Sequence, residues 1–567
     1  MERVTYRPVR FAGQSTGSGP ATCGQASMWL DITDKDPREA FFNPSGEVET
    51  PAGLTVDDLL AELGALVGRH ESLRTFLAED AGGGLSQTVT GSGEFPVCLI
   101  DLGDAPESLW EELAERRKVV ERLPFDLSAE LPIRPTIFHG SGEPLAVLLS
   151  VAHTAADGGG VRNLVADLAA MAQARAKGLD RPPPPPARQP LEQARYEASA
   201  EGRRRLAGAL NFWETSLATV PRTMFPTAPK PGPPAYHAAV LHSRAADLAL
   251  NLQALRYDVS GTAVLLAATG LVLGAYTGMP TCAVRLICAN RTSEPERRAV
   301  ACMIQGVLVS LGLGGTGFGD VVARAWPASV RAYRHGLYDR REVRRITRAA
   351  EQRRGVRLDL SCVFNEMREE TRPDHRLAAH RATRPQAADE AAVRAAMRDS
   401  VFRPEPAVEQ ETFALYAEDT PETLRLTLHA DARHLDPDAV RAVLFGIERL
   451  LVESAFGEVR PEEVGALTGL AAPPREGRWL WHEGCWTDLD AVERMLGEVL
   501  DVRAARVETE SGEDGKPRIA AHLWPARERL TADDAHAACM AALPGRQTAV
   551  APHRYVIHPV TGTGEPG

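Results

Sequence analysis

The segment from Leu145 to Ala172 constrains the fold of this chain more than any other stretch. Leu145 to Val151 is a run of β-type apolar residues that delivers His153 to the end of a predicted strand. Asp157 follows at a turn, then Gly158 and Gly159, then Val161, Leu164, Val165, Leu168, Met171 and Ala172 at helical spacing. A strand that turns sharply into an amphipathic helix points to an α/β architecture. The imidazole at the corner titrates near neutrality and can move protons. Glycines after it permit a sharp exit and a close approach of substrate to the backbone.

At 567 residues the chain is too long for one hydrophobic core, so two or three domains are expected. A net charge of −12 argues against a nucleic-acid partner, because phosphate binding needs basic surface. The opening Met1 to Arg10 has no signal-peptide apolar stretch, and no apolar run is long enough for a membrane span. Eight cysteines are scattered without metal spacing or a disulfide framework. Reduced thiols and no membrane segment point to the cytoplasm.

Pro182 to Pro186 is the clearest punctuation, since consecutive prolines form a stiff extended connector. The expected division is a first lobe over 1–180, a linker over 181–190 and a second lobe over 191–458. A weaker linker over 459–476 contains Pro473 and Pro474, and a small α+β tail over 477–567 reads α-β-β-α-β. In the second lobe, Leu424, Leu426 and Leu428 alternate like a strand, and Pro437 to Val452 reads as a closing helix.

Ala152 through Gly158 resembles the HHxxxDG signature of nonribosomal peptide synthetase condensation domains, with the first histidine replaced by Ala152. Other landmarks follow in family order. Gln25, Met28 and Trp29 match an SxAQxRxW opening in which Ser27 replaces the arginine, and Arg69 to Thr75 reproduces RHExLRT. Asn211, Phe212 and Trp213 with Leu217 and Pro221 are similar to a YW…L…P helix end. Asn290 to Glu294 is similar to GRxxxE, Gln305 stands for the asparagine of FVN, and Ser361 to Asn365 resembles a late strand with a polar residue facing the site. The resemblance implies two chloramphenicol-acetyltransferase-like lobes forming a V, with a tunnel reached by two carrier proteins. Separately, Gly484, Asp488, Val492 and Glu493, then Leu543 to Pro552, resemble the C-terminal subdomain of an adenylation domain. Its adenylating lysine is replaced by Glu565 in Thr561 to Glu565, and the arginine before its glycine by Glu483. A carboxylate beside a triphosphate inverts the electrostatics, so this tail is expected to pack or dock and not to activate acids.

The resemblance implies acyl transfer from a carrier-protein thioester to an amine or hydroxyl, giving an amide or ester. His153 is the candidate base or orienting group, Gly158 the candidate backbone N–H donor to the reacting carbonyl, and Asp157 a loop holder paired with Arg291. Ala152 stands at a position the family uses structurally, and Arg69 and Arg74 belong to a helix-end charge network with His70 and Glu71. Gly159, Gln305 and Asn365 are the candidate substrate contacts. No metal is expected, and no cofactor bound by the chain itself; phosphopantetheine belongs to peptidyl or acyl carrier proteins acting in trans, and the acceptor is carrier-bound or a free small molecule. Two other readings are a catalytically silent module that recruits carrier proteins or tailoring enzymes, and an acyl-CoA-dependent N- or O-acyltransferase.

Some features read as structural. Gly312 to Gly317 matches GxGxxG but is expected to be a hairpin-like turn, and His536 with Cys539 a plain helix face. Arg341 to Arg354 is expected to be a solvated helix face, able to meet an acidic carrier-protein helix.

Overall fold

The computed structural model describes residues 3–34, 43–80, 82–103, 106–230, 232–368, 389–408, 410–512, 515–527 and 529–559. They divide into two compact units. Unit 1 takes Met1–Ala209, Cys288–Gln305 and His335–Arg340; unit 2 takes Leu210–Ile287, Gly306–Arg334 and Arg341–Gly567. The proline run therefore lies inside unit 1, and the tail over 477–567 is part of unit 2. The prolines are held by a segment distant in sequence. Arg188 N–H donates to Pro295 O (3.0 Å) and its guanidinium pairs with Glu296 (2.8 Å), which ties the connector down.

Unit 1 is built on a five-stranded sheet in the order Val4–Ala12, Ser92–Asp101, Ile133–Gly140, Glu143–Val151, Ser45–Glu49. Only the Ser92–Asp101 and Ile133–Gly140 pairing is parallel. On one face Ile137, Val147 and Leu149 pack with Leu59, Leu63 and Leu66 of the helix Val56–Arg69 and Leu164 and Leu168 of the helix Gly158–Ala176. On the other, Phe138, Ala146 and Leu148 take Leu113 and Val120 of the helix Leu109–Val120. The strand Glu143–Val151 is thus covered on both faces, which is why it reads as a continuous apolar run. Leu148 and Leu149 are fully buried, each stabilising by roughly 1.5–3 kcal/mol.

Unit 2 carries a seven-stranded sheet in the order Gln305–Gly312, Thr281–Cys288, Cys362–Glu366, Phe413–Asp419, Leu424–Asp431, Tyr236–Ser243, Val401–Glu405. The alternating leucines form the strand Leu424–Asp431. The closing helix runs Pro437–Phe456, begun by Pro437 after Asp436, whose carboxylate accepts from Ala439 N–H (2.9 Å). No single described helix is long and apolar enough to cross a membrane.

The GxGxxG stretch is not a hairpin turn. It joins the strand Gln305–Gly312 to the helix Phe318–Arg334, and the Asp320 carboxylate accepts from Thr316 N–H (2.7 Å) and Oγ1 (2.9 Å) across the start of that helix. The tail opens with the hairpin Trp479–His482 and Cys485–Asp488 and then follows the expected order. Its elements are Leu489–Val499, Val502–Ser511, Pro517–Pro525, Ala532–Ala542 and Arg554–Ile557. His536 and Cys539 lie on the Ala532–Ala542 helix, with His536 Nδ1 3.4 Å from the Tyr555 hydroxyl. Thr561 to Glu565 fall outside the described residues.

Candidate active site

The strand Glu143–Val151 ends one residue before a tight turn. Ala155 and Ala156 N–H both donate to Ala152 O (2.8 and 3.2 Å), which lifts His153 to the corner, where it is half-buried. Ala152 is 2% exposed and packs with Leu77, Leu85 and Leu127. Where the resemblance expects a first histidine, the fold has a buried apolar position. A recess beside the turn is lined by Thr22, Ser72, Thr154, Arg188, Gln193 and Met303.

Asp157 is fully buried and caps the helix Gly158–Ala176. Its Oδ1 accepts from Gly160 N–H (2.8 Å) and Arg291 Nη2 (2.6 Å), and its Oδ2 accepts from Met303 N–H (2.8 Å). Burial pushes this carboxyl up, but the Arg291 guanidinium and the two N–H donors outweigh burial and hold it below the usual carboxylate range. With its oxygens bonded to the helix start, to Arg291 and to the Met303 backbone, this carboxylate is placed to hold the turn. The Arg291–Asp157 pair expected from the resemblance is present.

Arg291 is spread over the loop that follows it. Nη1 donates to Glu296 O (2.7 Å) and Ala299 O (2.8 Å), and Nη2 also reaches Ala301 O (3.1 Å). Asn290 before it holds φ of 55°, the left-handed region that glycine or asparagine tolerates, and donates to Met303 O (2.9 Å) and Gly336 O (3.0 Å). The acidic residue of this segment is not Glu294, which is exposed and pairs with Arg297 and Arg298. Glu296 fills that role. It is 3% exposed and accepts from Thr292 N–H (2.9 Å), Ser293 N–H (2.8 Å) and Arg188 (2.8 Å).

The other expected residues divide clearly. Gly158 is exposed at the first helical position, at the positive end of the helix. Gly159 is buried, and a Cβ there would stand 2.7 Å from Arg291 Nε, so glycine at this position allows close packing against the guanidinium. Gln305 is also committed: Nε2 donates to Tyr338 O (2.8 Å) and Oε1 accepts from Tyr338 N–H (3.3 Å). Asn365 sits on the strand Cys362–Glu366 of unit 2, in register with Tyr416. Arg69 and His70 both pair with Asp167 of the site helix, His70 at 2.9 Å. Arg74 donates to Ser15 O (2.6 Å) and to Thr90 O. Cys302 lies in the same region, but burial and then the Asp157 charge raise its thiol far above the range of a reactive cysteine.

A family model described as the condensation domain matches residues 18–430. The chain belongs to the condensation-domain family. A linear gramicidin synthase of Brevibacillus parabrevis is 28% identical over 327 residues, 56% of this chain and 4% of that protein. A probable non-canonical nonribosomal peptide synthetase, CymA of Salinispora arenicola, is 27% identical over 331 residues, again 56% of this chain and 4% of its own length. The condensation-domain chain thus spans a small fraction of these relatives. Among solved structures, the first condensation domain of the calcium-dependent antibiotic synthetase aligns with a TM-score of 0.56 at 18% identity, covering 79% of this chain and 98% of that one. That likeness fixes the α/β fold as the condensation-domain fold.

Proposed function

We propose that this condensation domain catalyses acyl transfer from a carrier-protein thioester to an amine or hydroxyl acceptor, with His153 at the reacting atoms. The observation that carries this reading is the His153 turn itself, held on one side by the strand Glu143–Val151 and on the other by the buried Asp157–Arg291 pair. In the reaction the acceptor nitrogen or oxygen attacks the thioester carbonyl, His153 takes or orients its proton, and the pantetheine thiolate leaves with a proton. An α-amine has a pKa of about 7.7–8.0, so a neutral fraction exists without a base and His153 then acts largely by orientation. A hydroxyl acceptor needs the base more. Gly158 N–H is the donor proposed for the developing oxyanion. The chemistry as read uses no metal; the pantetheine arm arrives on carriers supplied in trans, in the cytoplasm.

The test is single-turnover condensation, with a loaded donor carrier and an amine or hydroxyl acceptor, followed by mass spectrometry. His153→Ala is expected to lower the rate by ~10²–10⁴-fold. An unchanged rate in that variant, or no product from the wild type with any carrier pair, overturns the proposal in favour of a silent recruiting module. Equal rates with acyl-CoA and acyl-carrier would instead make the chain a CoA-dependent acyltransferase.

A further inference from the structure

The tip of the tail hairpin holds two successive residues at positive φ, Glu483 at 52° and Gly484 at 68°. This is the backbone of a two-residue hairpin turn of the type that asparagine and glycine favour. Glycine adopts it freely; a glutamate stays there only when its surroundings hold it. Arg354 does so, donating from Nε to the Glu483 carboxylate (2.8 Å) and from Nη2 to its carbonyl (3.2 Å). The same guanidinium donates to Leu217 O (2.7 Å) and Val220 O (2.8 Å), so one cation clamps the tip to the end of the helix Ala200–Leu217 and the residues after it.

A second arginine also reaches into the tail. Arg222 is 1% exposed, and its Nε and Nη1 donate to Gln547 O (3.0 Å) and Thr487 Oγ1 (2.9 Å), while its Nη2 donates to Trp486 O. In return Ala551 N–H donates to Gly355 O (2.8 Å). Val356 and Leu358 belong to the same apolar core as Val492, Leu496, Ile519 and Val550 of the tail. The segment over 355–358 is thus built into the tail, and it leads directly into the strand bearing Asn365. On the way, Asp359 N–H donates to Arg222 O (2.7 Å), while its carboxylate accepts from Thr223 Oγ1 (3.0 Å) and Ser361 N–H (3.1 Å).

We propose that the described tail residues between 477 and 559 are a fixed brace of unit 2 that positions the strand Cys362–Glu366, with Arg222 and Arg354 as its positioning residues. The acidic residue at 483 is what makes the docking work, since an arginine there would face Arg354. This inference stands apart from the condensation reading, because none of its observations involves His153.

The test uses the full chain with a protease recognition sequence inserted between Pro473 and Pro474. After complete cleavage the tail is expected to co-elute with the remainder in gel filtration, with hydrogen exchange over 355–366 unchanged. Glu483→Arg is expected to release part of the cut tail and to speed exchange over 355–366 by roughly tenfold or more, whereas Glu483→Gln, which keeps an acceptor for Arg354 Nε, is expected to retain both readouts. A wild-type tail that elutes separately after cleavage overturns the proposal. So does a Glu483→Arg chain whose tail is released while exchange in Cys362–Glu366 stays unchanged. A Glu483→Arg chain that keeps its cut tail and wild-type exchange overturns the positioning role given to Arg354.

Discussion

Asp157 carries more of this site's geometry than any other side chain, because one carboxylate bonds the helix start, the Arg291 guanidinium and the Met303 backbone at once. Both partners of the ion pair are buried, at 0% and 9% side-chain exposure. Asp157→Asn keeps the shape and one acceptor but leaves Arg291 as an uncompensated buried cation. The expected cost is ~3–5 kcal/mol, measured by urea denaturation, with activity lost in parallel. Asp157→Asn at wild-type stability would mean that the carbonyls of Glu296, Ala299 and Ala301 suffice for Arg291. Because the Asp157 carboxyl is held low, its contribution is present above the ordinary carboxylate pKa and is lost only as the pH falls through its folded value.

The site helix Gly158–Ala176 shows how an element is fitted to that residue. Gly159 lies where a methyl group would stand 2.7 Å from Arg291 Nε and 3.3 Å from Asp157 Oδ1. Gly159→Ala is therefore expected to destabilise unit 1 by about 1–3 kcal/mol and to depress turnover through a displaced Arg291, with substrate KM little changed. A variant with normal turnover would show that the loop after Arg291 gives way freely. Strand and helix were legible in the sequence because each buries a periodic apolar face, and the turn was legible because histidine, aspartate and glycine have distinct chemistry there. What lies around the turn was not. Glu296 was hidden because the left-handed Asn290 and the short turn after it place a later acidic residue inward. Arg188 was hidden because a proline connector reads as a spacer, while its contact to Glu296 is non-local. The arginine missing at Ser27 illustrates the same limit: Arg340, distant in sequence, donates to Ser27 O and Oγ (both 3.3 Å) and pairs with Asp31. Periodicity reports which face is buried; it does not report which distant side chain meets it.

At the scale of the molecule, buried histidines shape the pH dependence of the stability of unit 2. Burial depresses several histidines of unit 2. His429 is lowered to about 4 by burial, with Arg425 adding to it against Glu405, and His482 is lowered to about 4 by burial and then His553. His242, His434 and His553 are lowered as well, each chiefly by burial. A histidine kept neutral in the folded state gains its proton on unfolding at any pH between its folded and unfolded values. The unfolded chain then binds more protons, so stability falls as the pH drops below the unfolded histidine value of about 6.5. His429 and His482 each remove up to about 3 kcal/mol on the way to their folded values, while the buried carboxylates held low act only at still lower pH. Urea midpoints of unit 2, followed by the fluorescence of Trp479, Trp481 and Trp486, are expected to fall steadily from pH 7 to pH 5. His429→Gln is expected to flatten part of that slope. Midpoints of unit 2 that stay constant between pH 7 and pH 5 would mean that water reaches these imidazoles and that their burial costs nothing on protonation.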